Sequence, residues 1–258
     1  MRIERLPQRA WPTPLAWLVL QSLLLVLGLM SVLWSMVALL FYPLLPRATG
    51  LRIGRAGIAF GYRMFWSAAR ASGLLRMQSQ ALRELAGERG GLVIVANHPS
   101  LLDALMLVAQ LPRSFCVMKA SLMRNPLLGP GALLARYIRN DCARTMVRQA
   151  VDDLRAGGQL VMFPEGTRTT GATLHPFHGG FALIARRAQV PVQTVFIDTT
   201  SPYLGKGWPI WKLPPLPIEF SVRVGRRFEP GPDVDVWVKD IERYMAANVR
   251  QMPLHPDA

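Results

Sequence analysis

The sequence has 258 residues, enough for one large domain or two small ones. Hydrophobic residues make up 51% of it and the mean hydropathy is +0.22, so the chain is more apolar than an average soluble protein. Lysine and arginine number 30 against 16 acidic residues. The two cysteines, Cys116 and Cys142, fit no metal-binding spacing, and His175 and His178 have no acidic residue or cysteine nearby. No metal site is therefore predicted.

Charge is distributed unevenly in the first third of the chain. After Glu4 the next acidic residue is Glu84, and nine arginines lie between them. Arginines that flank an apolar segment are typical of a membrane protein, and the sequence has no helix-turn-helix or RNA-binding motif. We therefore predict that residues 1–73 anchor the chain to a membrane, that residues 74–258 form a second domain, and that no nucleic acid is bound.

Residues 15–45 carry no charge. As one helix they would extend about 46 Å, which exceeds the ~30 Å core of a bilayer but is too short for two full spans. The segment can tilt or protrude, or it can kink near Gly28 and return as a hairpin, and Pro43 and Pro46 are predicted to end it. It is too long for a simple signal peptide. A buried helix of a soluble domain is the alternative.

Residues 50–73 are predicted to form a second helix. Arg52, Arg55, Arg63 and Arg70 fall within an arc of about 80° on that helix, opposite a face rich in aromatic residues. Such an arginine stripe is typical of a helix in the membrane interface. A solvated face on an ordinary domain helix is the alternative.

The rest of the chain alternates strand and helix patterns. Strands are predicted at residues 92–96, 115–119, 159–163, 192–197 and, with an edge-like alternation, 218–224. Helices are predicted at residues 100–110, 132–137, 145–155, 180–189 and 233–251. This order predicts an α/β fold with a mixed sheet flanked by helices. Before the last strand, residues 203–217 form a long apolar loop whose tryptophans are candidates for a membrane contact.

The strand at residues 92–96 leads into an Asn-His-Pro sequence, and Asp103 follows His98 by five residues. Ligands of open α/β sheets bind at the carboxyl ends of the strands. His98 is therefore a candidate general base, with Asp103 accepting from one ring nitrogen. The alternative is an ordinary helix start, with Ser100 as the N-cap and Asp103 in the first turn. Backbone amides after the proline are candidate oxyanion donors.

A second motif, Phe163-Pro164-Glu165-Gly166-Thr167-Arg168, ends the strand at residues 159–163. Its arginine can bind a phosphate or another anion through two hydrogen bonds, and its glycine permits a tight turn. Its threonine can donate a hydrogen bond, and its glutamate can hold the arginine or substrate hydroxyls. Alone, the motif favours a strand-end turn with a surface Glu–Arg pair; downstream of His98, it favours a binding site. No Gly-x-Ser-x-Gly sequence is present, so direct transfer is favoured over a serine acyl-enzyme.

Together the two motifs resemble those of the glycerolipid acyltransferase family, which includes bacterial 1-acylglycerol-3-phosphate acyltransferases. The resemblance covers about residues 92–199. It implies an α/β acyltransferase domain on an N-terminal membrane-embedded helical segment. By residue-by-residue match, the catalytic residues are His98 and Asp103, and the substrate-binding residues are Lys119, Glu165, Gly166, Thr167 and Arg168.

One stretch departs from the family pattern. Where relatives usually have Asp-Arg or Asn-Arg at a strand end, with the arginine helping to bind the acceptor phosphate, this chain has Arg139-Asn140-Asp141. Either Arg139 or Arg144 takes that role, so Arg139 joins the predicted substrate-binding residues, or the acceptor is not a glycerol phosphate.

The resemblance implies a membrane-bound O-acyltransferase that moves a fatty acyl group from acyl-ACP or acyl-CoA to a lysophospholipid hydroxyl. The expected acceptor is 1-acylglycerol-3-phosphate, giving phosphatidate, and no cofactor beyond the acyl donor is expected. The chain is expected in the cell inner membrane, with its catalytic domain on the cytoplasmic face, where its basic charge suits an acidic donor such as acyl carrier protein or coenzyme A. The alternatives are the same chemistry on an amino-acid or polyene-type lipid, and a non-catalytic membrane-anchored lipid-binding protein.

Overall fold

The computed structural model describes residues 12–126, 128–170 and 173–250. Two long helices come first, α1 (Thr13–Phe41) and α2 (Arg47–Ser72). The remaining elements are β1 (Leu75–Gln78), α3 (Leu82–Gly87), β2 (Leu92–Ala96), α4 (Leu102–Gln110), β3 (Ser114–Met118), α5 (Ala120–Met123), α6 (Gly129–Leu134), β4 (Ile138–Arg139), α7 (Ala143–Arg155), β5 (Gln159–Met162), α8 (Gly180–Ala188), β6 (Val192–Thr199), β7 (Ile218–Phe228) and α9 (Val234–Asn248). The predicted closing helix extended to residue 251, which lies outside the described residues, as does most of the segment before α1.

The strands form one mixed sheet in the order β1-β7-β6-β2-β5-β3-β4. The strands β6, β2, β5, β3 and β4 run parallel to one another, whereas β7 is antiparallel to β6 and parallel to β1. The predicted α/β fold with a mixed sheet is thus confirmed. Because the parallel strands share a direction, the residues that follow β2, β3, β4, β5 and β6 all lie on the side of the sheet formed by the carboxyl ends of these strands. This side, and not an outer strand, is the edge at which the site is described below.

The expectation that the last strand lies at the edge of the sheet is wrong. β1 pairs with β7 from Leu75 opposite Ile218 to Gln78 opposite Ser221, so β7 lies inside the sheet. Its alternating burial arises because one face of the strand packs on the core. The helix predicted at residues 132–137 begins earlier, because Pro130 fits the first turn of α6. It also ends earlier, before Arg136, whose φ is +57°.

Each face of the sheet carries its own apolar core. On one face α1 to α4 pack against alternate residues of the central strands, including Ile94 and Val195. On the other face α7, α8 and α9 pack against the intervening residues, including Val93 and Phe196. The central strand β2 is buried along its whole length, as expected for a parallel strand covered on both faces.

Helix α1 exposes most of its apolar surface. It runs through Gly28 without a break, and the chain turns at residues 42–45, where the prolines were predicted to end the helix. Only a narrow stripe of α1 is buried, and Leu25 and Leu33 are more than 60% exposed. Among the described residues, α1 alone is long and apolar enough to cross a membrane. An exposed apolar surface of this length indicates membrane association.

One arginine of the predicted α2 stripe, Arg55, does not lie as predicted, whereas Arg52, Arg63 and Arg70 are exposed. Arg55 is only 4% exposed, and both of its terminal nitrogens pair with the carboxylate of Asp153 in α7. Its Nε donates to the carbonyl oxygen of Ala135 at 3.2 Å. Gly54 permits this approach, because a Cβ there would lie 2.5 Å from the Ala135 nitrogen. This part of α2 therefore faces the α/β domain, not the membrane interface.

Candidate active site

The candidate site forms where β2 and β6 end side by side at the edge of the sheet. The Asn97 side chain donates to the carbonyl oxygen of Ile197 and accepts from the Ile197 amide, both at 2.8 Å. This two-way pairing fixes the end of β2 against β6. The backbone of His98, the next residue, is therefore held in place by this pairing.

His98 and Asp103 form a hydrogen-bonded pair. The Nδ1 atom of His98 lies 3.0 Å from Oδ2 of Asp103, and the same oxygen accepts from the Ser100 amide at 2.7 Å. The Asp103 side chain is fully buried, whereas the imidazole keeps 17% of its surface exposed. An ionised carboxylate can only accept, so Nδ1 carries the proton and Nε2 is left with a lone pair. This arrangement suits a general base.

The imidazole is also held by an aromatic ring. Phe163 stacks on His98 with the ring centroids 4.0 Å apart and an angle of 17° between the planes. Phe163 comes directly after β5, the neighbour of β2. The first residue of the second motif therefore orients the catalytic candidate of the first motif, a role that the sequence analysis did not assign to it.

Burial raises the pKa of Asp103 from 3.8 to about 6, and the hydrogen bond from His98 counteracts part of this rise. The cause is desolvation, which disfavours the charged form of a buried carboxyl group. One of its oxygens, Oδ1, is buried and has no hydrogen-bond partner among the described residues. The carboxylate that orients His98 is therefore ionised at neutral pH at a cost to folding stability.

The second motif is joined to His98 through Thr169. The Thr169 hydroxyl accepts from the His98 amide at 3.0 Å and donates to Oε1 of Glu165 at 2.5 Å. The Thr169 amide donates to the His98 carbonyl oxygen at 2.8 Å. The second carboxylate oxygen of Glu165 accepts from the His175 amide at 3.0 Å. Glu165 is buried, so both of its oxygens stabilise the turn and the backbone of His98.

Two further residues of the motif shape the turn. Gly166 has a φ of +66°, and a Cβ there would lie about 3.0 Å from the His178 ring, so this position requires glycine. One terminal nitrogen of Arg168 donates to the carbonyl oxygens of Leu204 and Gly205, at 2.9 and 2.8 Å. Arg168 thus secures the loop after β6. Thr167, which lies between Gly166 and Arg168 in the sequence, is half-buried.

Lys119 and Arg139 follow strands farther from His98. The order β2-β5-β3-β4 places β3 two strand spacings and β4 three spacings from β2, or about 10 and 14 Å. Lys119 is exposed at the end of β3. Arg139 pairs with Asp141, and Asn140 accepts from the Ala120 amide at 3.2 Å. All predicted site residues share this edge of the sheet, with His98, Asp103 and the second motif in direct contact.

The predicted oxyanion donors after Pro99 are already engaged. The Ser100 amide bonds to Asp103, the Leu101 amide to the Leu204 carbonyl oxygen and the Leu102 amide to the Ser100 hydroxyl. The prediction is wrong because the turn into α4 uses these amides to hold the dyad.

Among the described residues, no cluster of three metal-ligating side chains is found.

An apolar cavity of about 350 Å³ lies between the N-terminal helices and the sheet. It is lined by α1, α2, α6 and the end of β3, and its walls include Met30, Trp34, Ile58, Tyr62, Met118 and Tyr137. Of the sheet strands, the cavity touches β3 at Met118, the residue before Lys119. Its size and apolar walls suit a hydrocarbon chain.

Comparison with known proteins agrees with this geometry. Residues 76–198 match the Acyltransferase family model. The match contains both motifs and confirms the predicted resemblance to glycerolipid acyltransferases. The crystal structure of the 1-acyl-sn-glycerophosphate acyltransferase PlsC from Thermotoga maritima superposes on 91% of this chain and 94% of its own, with a TM-score of 0.66 and 18% identity. The acyltransferase fold is therefore shared.

Two curated acyltransferases resemble the central part of the chain. A lyso-ornithine lipid O-acyltransferase of Pseudomonas aeruginosa is 36% identical over 124 residues, covering 43% of this chain and 47% of the relative. A 1-acyl-sn-glycerol-3-phosphate acyltransferase of Limnanthes douglasii is 29% identical over 155 residues, covering 57% and 52%. The chain thus spans about half the length of these relatives. The names of these two relatives state different acceptors.

Replacing Asp103 with asparagine should make the stability of the protein less dependent on pH. The raised pKa means that this group contributes stability that is fully present below pH 3.8 and is lost as the pH rises through about 6. We expect the wild-type free energy of unfolding to lose about 3 kcal/mol from this group between about pH 4 and about pH 7, and Asp103→Asn to remove that loss. Denaturant unfolding at several pH values measures it. An unchanged pH dependence in the variant would contradict the burial argument.

Replacing Thr169 with valine should impair His98 without removing any reacting group. Valine keeps the shape but leaves the half-buried His98 amide without its acceptor, so the backbone that carries the imidazole is less firmly held. We expect kcat of the activity proposed below to fall about tenfold or more, because misplacement of a reacting group by about 1 Å can cost about a hundredfold, with little change in KM, and Thr169→Ser to restore it. Thr170→Val, at an exposed neighbour, is the matched control, and an equal effect there would argue against a positioning role.

Proposed function

We propose that this protein is a membrane-bound O-acyltransferase that moves a fatty acyl group from acyl-ACP or acyl-CoA to the hydroxyl of a lysolipid. The observation that carries the proposal is the pairing of His98 Nδ1 with the buried Asp103, which leaves Nε2 as a base at an exposed strand end. An alcohol is a poor nucleophile until a base takes its proton. The acyltransferase match over residues 76–198 supports the same chemistry.

The residues account for a balanced reaction. Nε2 of His98 takes the proton of the acceptor hydroxyl as its oxygen attacks the thioester carbonyl carbon. A C–O bond forms, the C–S bond breaks, and the imidazolium returns the proton to the leaving thiolate. Asp103 stabilises the imidazolium in between, because it is an ionised, buried partner of Nδ1–H. Phe163 and Thr169 hold the ring and its backbone in place.

The lipid substrates would come from the membrane, and the apolar cavity would bind an acyl chain. The exposed face of α1 supports attachment to a bilayer, and the cavity beside Met118 supports the binding of an acyl chain. The arginines that follow the apolar segment favour the cytoplasmic face of the cell inner membrane. On that face the acyl carrier protein and coenzyme A thioesters would meet a basic surface.

The first candidate acceptor is 1-acylglycerol-3-phosphate, which would give phosphatidate. Arg168 and Lys119 offer positive charge at the edge of the sheet where its phosphate would bind. The relative from Limnanthes douglasii is named for this acceptor. One terminal nitrogen of Arg168 holds the loop after β6, which leaves the rest of the guanidinium for the anion.

The second candidate acceptor is a lyso-ornithine-type lipid. Arg139, a candidate substitute for the phosphate-binding arginine that Asn140-Asp141 replaces, is paired with Asp141. This pairing lowers the net positive charge at the end of β4, which suits a zwitterionic amino-acid headgroup better than a phosphate. The relative from Pseudomonas aeruginosa is named for this acceptor.

The test is acyl transfer by the purified protein in detergent, followed by mass spectrometry of the lipids. Acyl-ACP and acyl-CoA are each offered with lysophosphatidic acid and, separately, with lyso-ornithine lipid. We expect one acceptor to be acylated and His98→Ala to lower the rate at least about a hundredfold, the usual contribution of a general base. Retention of the folded state is checked by circular dichroism.

His175→Ala is the matched control, because its ring contacts an exposed threonine, Thr170. Full activity of His98→Ala would overturn the proposed mechanism. Binding of lipid by the wild type without transfer to either acceptor would favour the non-catalytic lipid-binding protein instead. The acceptor that is consumed decides between the two candidates.

A further inference from the structure

The loop of residues 206–213, here called the tryptophan loop, exposes a large apolar surface beside α1. Trp211 is 69% exposed and Ile210 is 50% exposed. Surface residues of this size side by side are unusual in a protein that contacts only water. The catalytic chemistry proposed above does not use them.

The tryptophan loop is fixed to the amino-terminal part of α1. Nε1 of Trp17 donates to the carbonyl oxygen of Trp211 at 2.8 Å, and the Gln21 amide donates to that of Ile210 at 3.0 Å. Trp17 is itself 41% exposed. The apolar tip of the loop therefore continues the exposed apolar face of α1.

The loop is braced internally, so its tip is a preformed shape. The Trp208 indole donates to the Lys212 carbonyl oxygen at 3.2 Å, and the Lys212 ammonium lies 4.8 Å from the centre of the Trp208 ring. The Lys212 amide also donates to the Pro209 carbonyl oxygen at 3.0 Å. Holding Ile210 and Trp211 outward in this way avoids an entropy cost on insertion.

The charge of the loop matches an anionic surface. Lys206 and Lys212 are exposed, and no acidic residue occurs between Asp198 and Glu219. A lysine near an anionic bilayer is attracted to the lipid phosphates. Tryptophan is the residue that prefers the boundary between lipid headgroups and hydrocarbon, because its ring is apolar and its N–H is polar.

The residues just before the tryptophan loop, Tyr203 and Leu204, are attached to the segment that holds the dyad. The Ser100 hydroxyl donates to the Tyr203 carbonyl oxygen at 2.9 Å, and the Leu101 amide and Arg168 both donate to that of Leu204. The segment that leads into the tryptophan loop is therefore hydrogen-bonded to the turn that holds the dyad.

We propose that the tryptophan loop is a second membrane contact, next to and in addition to the exposed face of α1, that inserts Ile210 and Trp211 into the headgroup region of an anionic bilayer. The occupant of this surface is the lipid bilayer, as argued from its continuity with α1 and from its two lysines. The proposal requires membrane association but not the acyl transfer proposed above.

The test measures the depth of position 211 in vesicles and needs no enzymatic activity. The full chain is reconstituted in phosphatidylglycerol–phosphatidylethanolamine vesicles with a single fluorophore on Trp211→Cys, in a background in which Cys142 is replaced by serine. Cys116 is only partly buried, so it is replaced by alanine in the same background. Val236→Cys is the matched control, since Val236 is 55% exposed and lies on α9, on the opposite face of the sheet.

We expect the label at position 211 to show a blue-shifted emission and a loss of intensity with nitroxide-labelled lipid, and little quenching by aqueous iodide. The label at position 236 should show the reverse. Equal quenching at both positions, or a label at 211 that is shielded from both quenchers by another protein copy, would overturn the proposal. Acyl transfer by the same samples is recorded separately, so loss of activity and loss of insertion are distinguished.

Discussion

A carboxyl group buried away from water, that of Asp103, is the group around which the candidate site is built. Its burial is unfavourable for the charged form and raises its pKa to about 6, yet the ionised form must be present to orient His98. Hydrogen bonds from His98 and Ser100 partly offset this cost. The bond from Ser100 forms because the amides of the turn point inward. The same orientation explains why that turn offers no free amides to an oxyanion.

The packing of the N-terminal helices explains why the exposed apolar surface of α1 belongs to the same body as the site. Arg55 joins α2 to α7 through a buried ion pair, and Gly54 allows the backbones to meet. Removing one partner of such a pair would leave a buried charge uncompensated. The N-terminal helices are therefore an integral part of the body that carries His98, and the apolar cavity lies between these helices and the sheet.

The parts of this structure that depend on local sequence could be predicted, and those that depend on distant partners could not. His98 and Asp103 lie five residues apart, so one turn brings them together. By contrast, β1 has four residues and pairs with a strand about 140 positions later, which gives no periodic signal. Arg55 has the helical spacing of a solvated stripe, but its partner Asp153 lies 98 residues away. The role of Thr169 also required the structure, although it directly follows the second motif.

The central claim is that Asp103 holds the Nδ1–H tautomer of His98 and so leaves Nε2 as the base. ¹⁵N NMR of the histidine-labelled protein in detergent tests it directly, because the chain has four histidines and His98→Ala identifies the signal of interest. At neutral pH we predict a protonated Nδ1 and an unprotonated Nε2 for His98, and a loss of that preference in Asp103→Asn. A His98 ring that carries its proton on Nε2 would contradict this account.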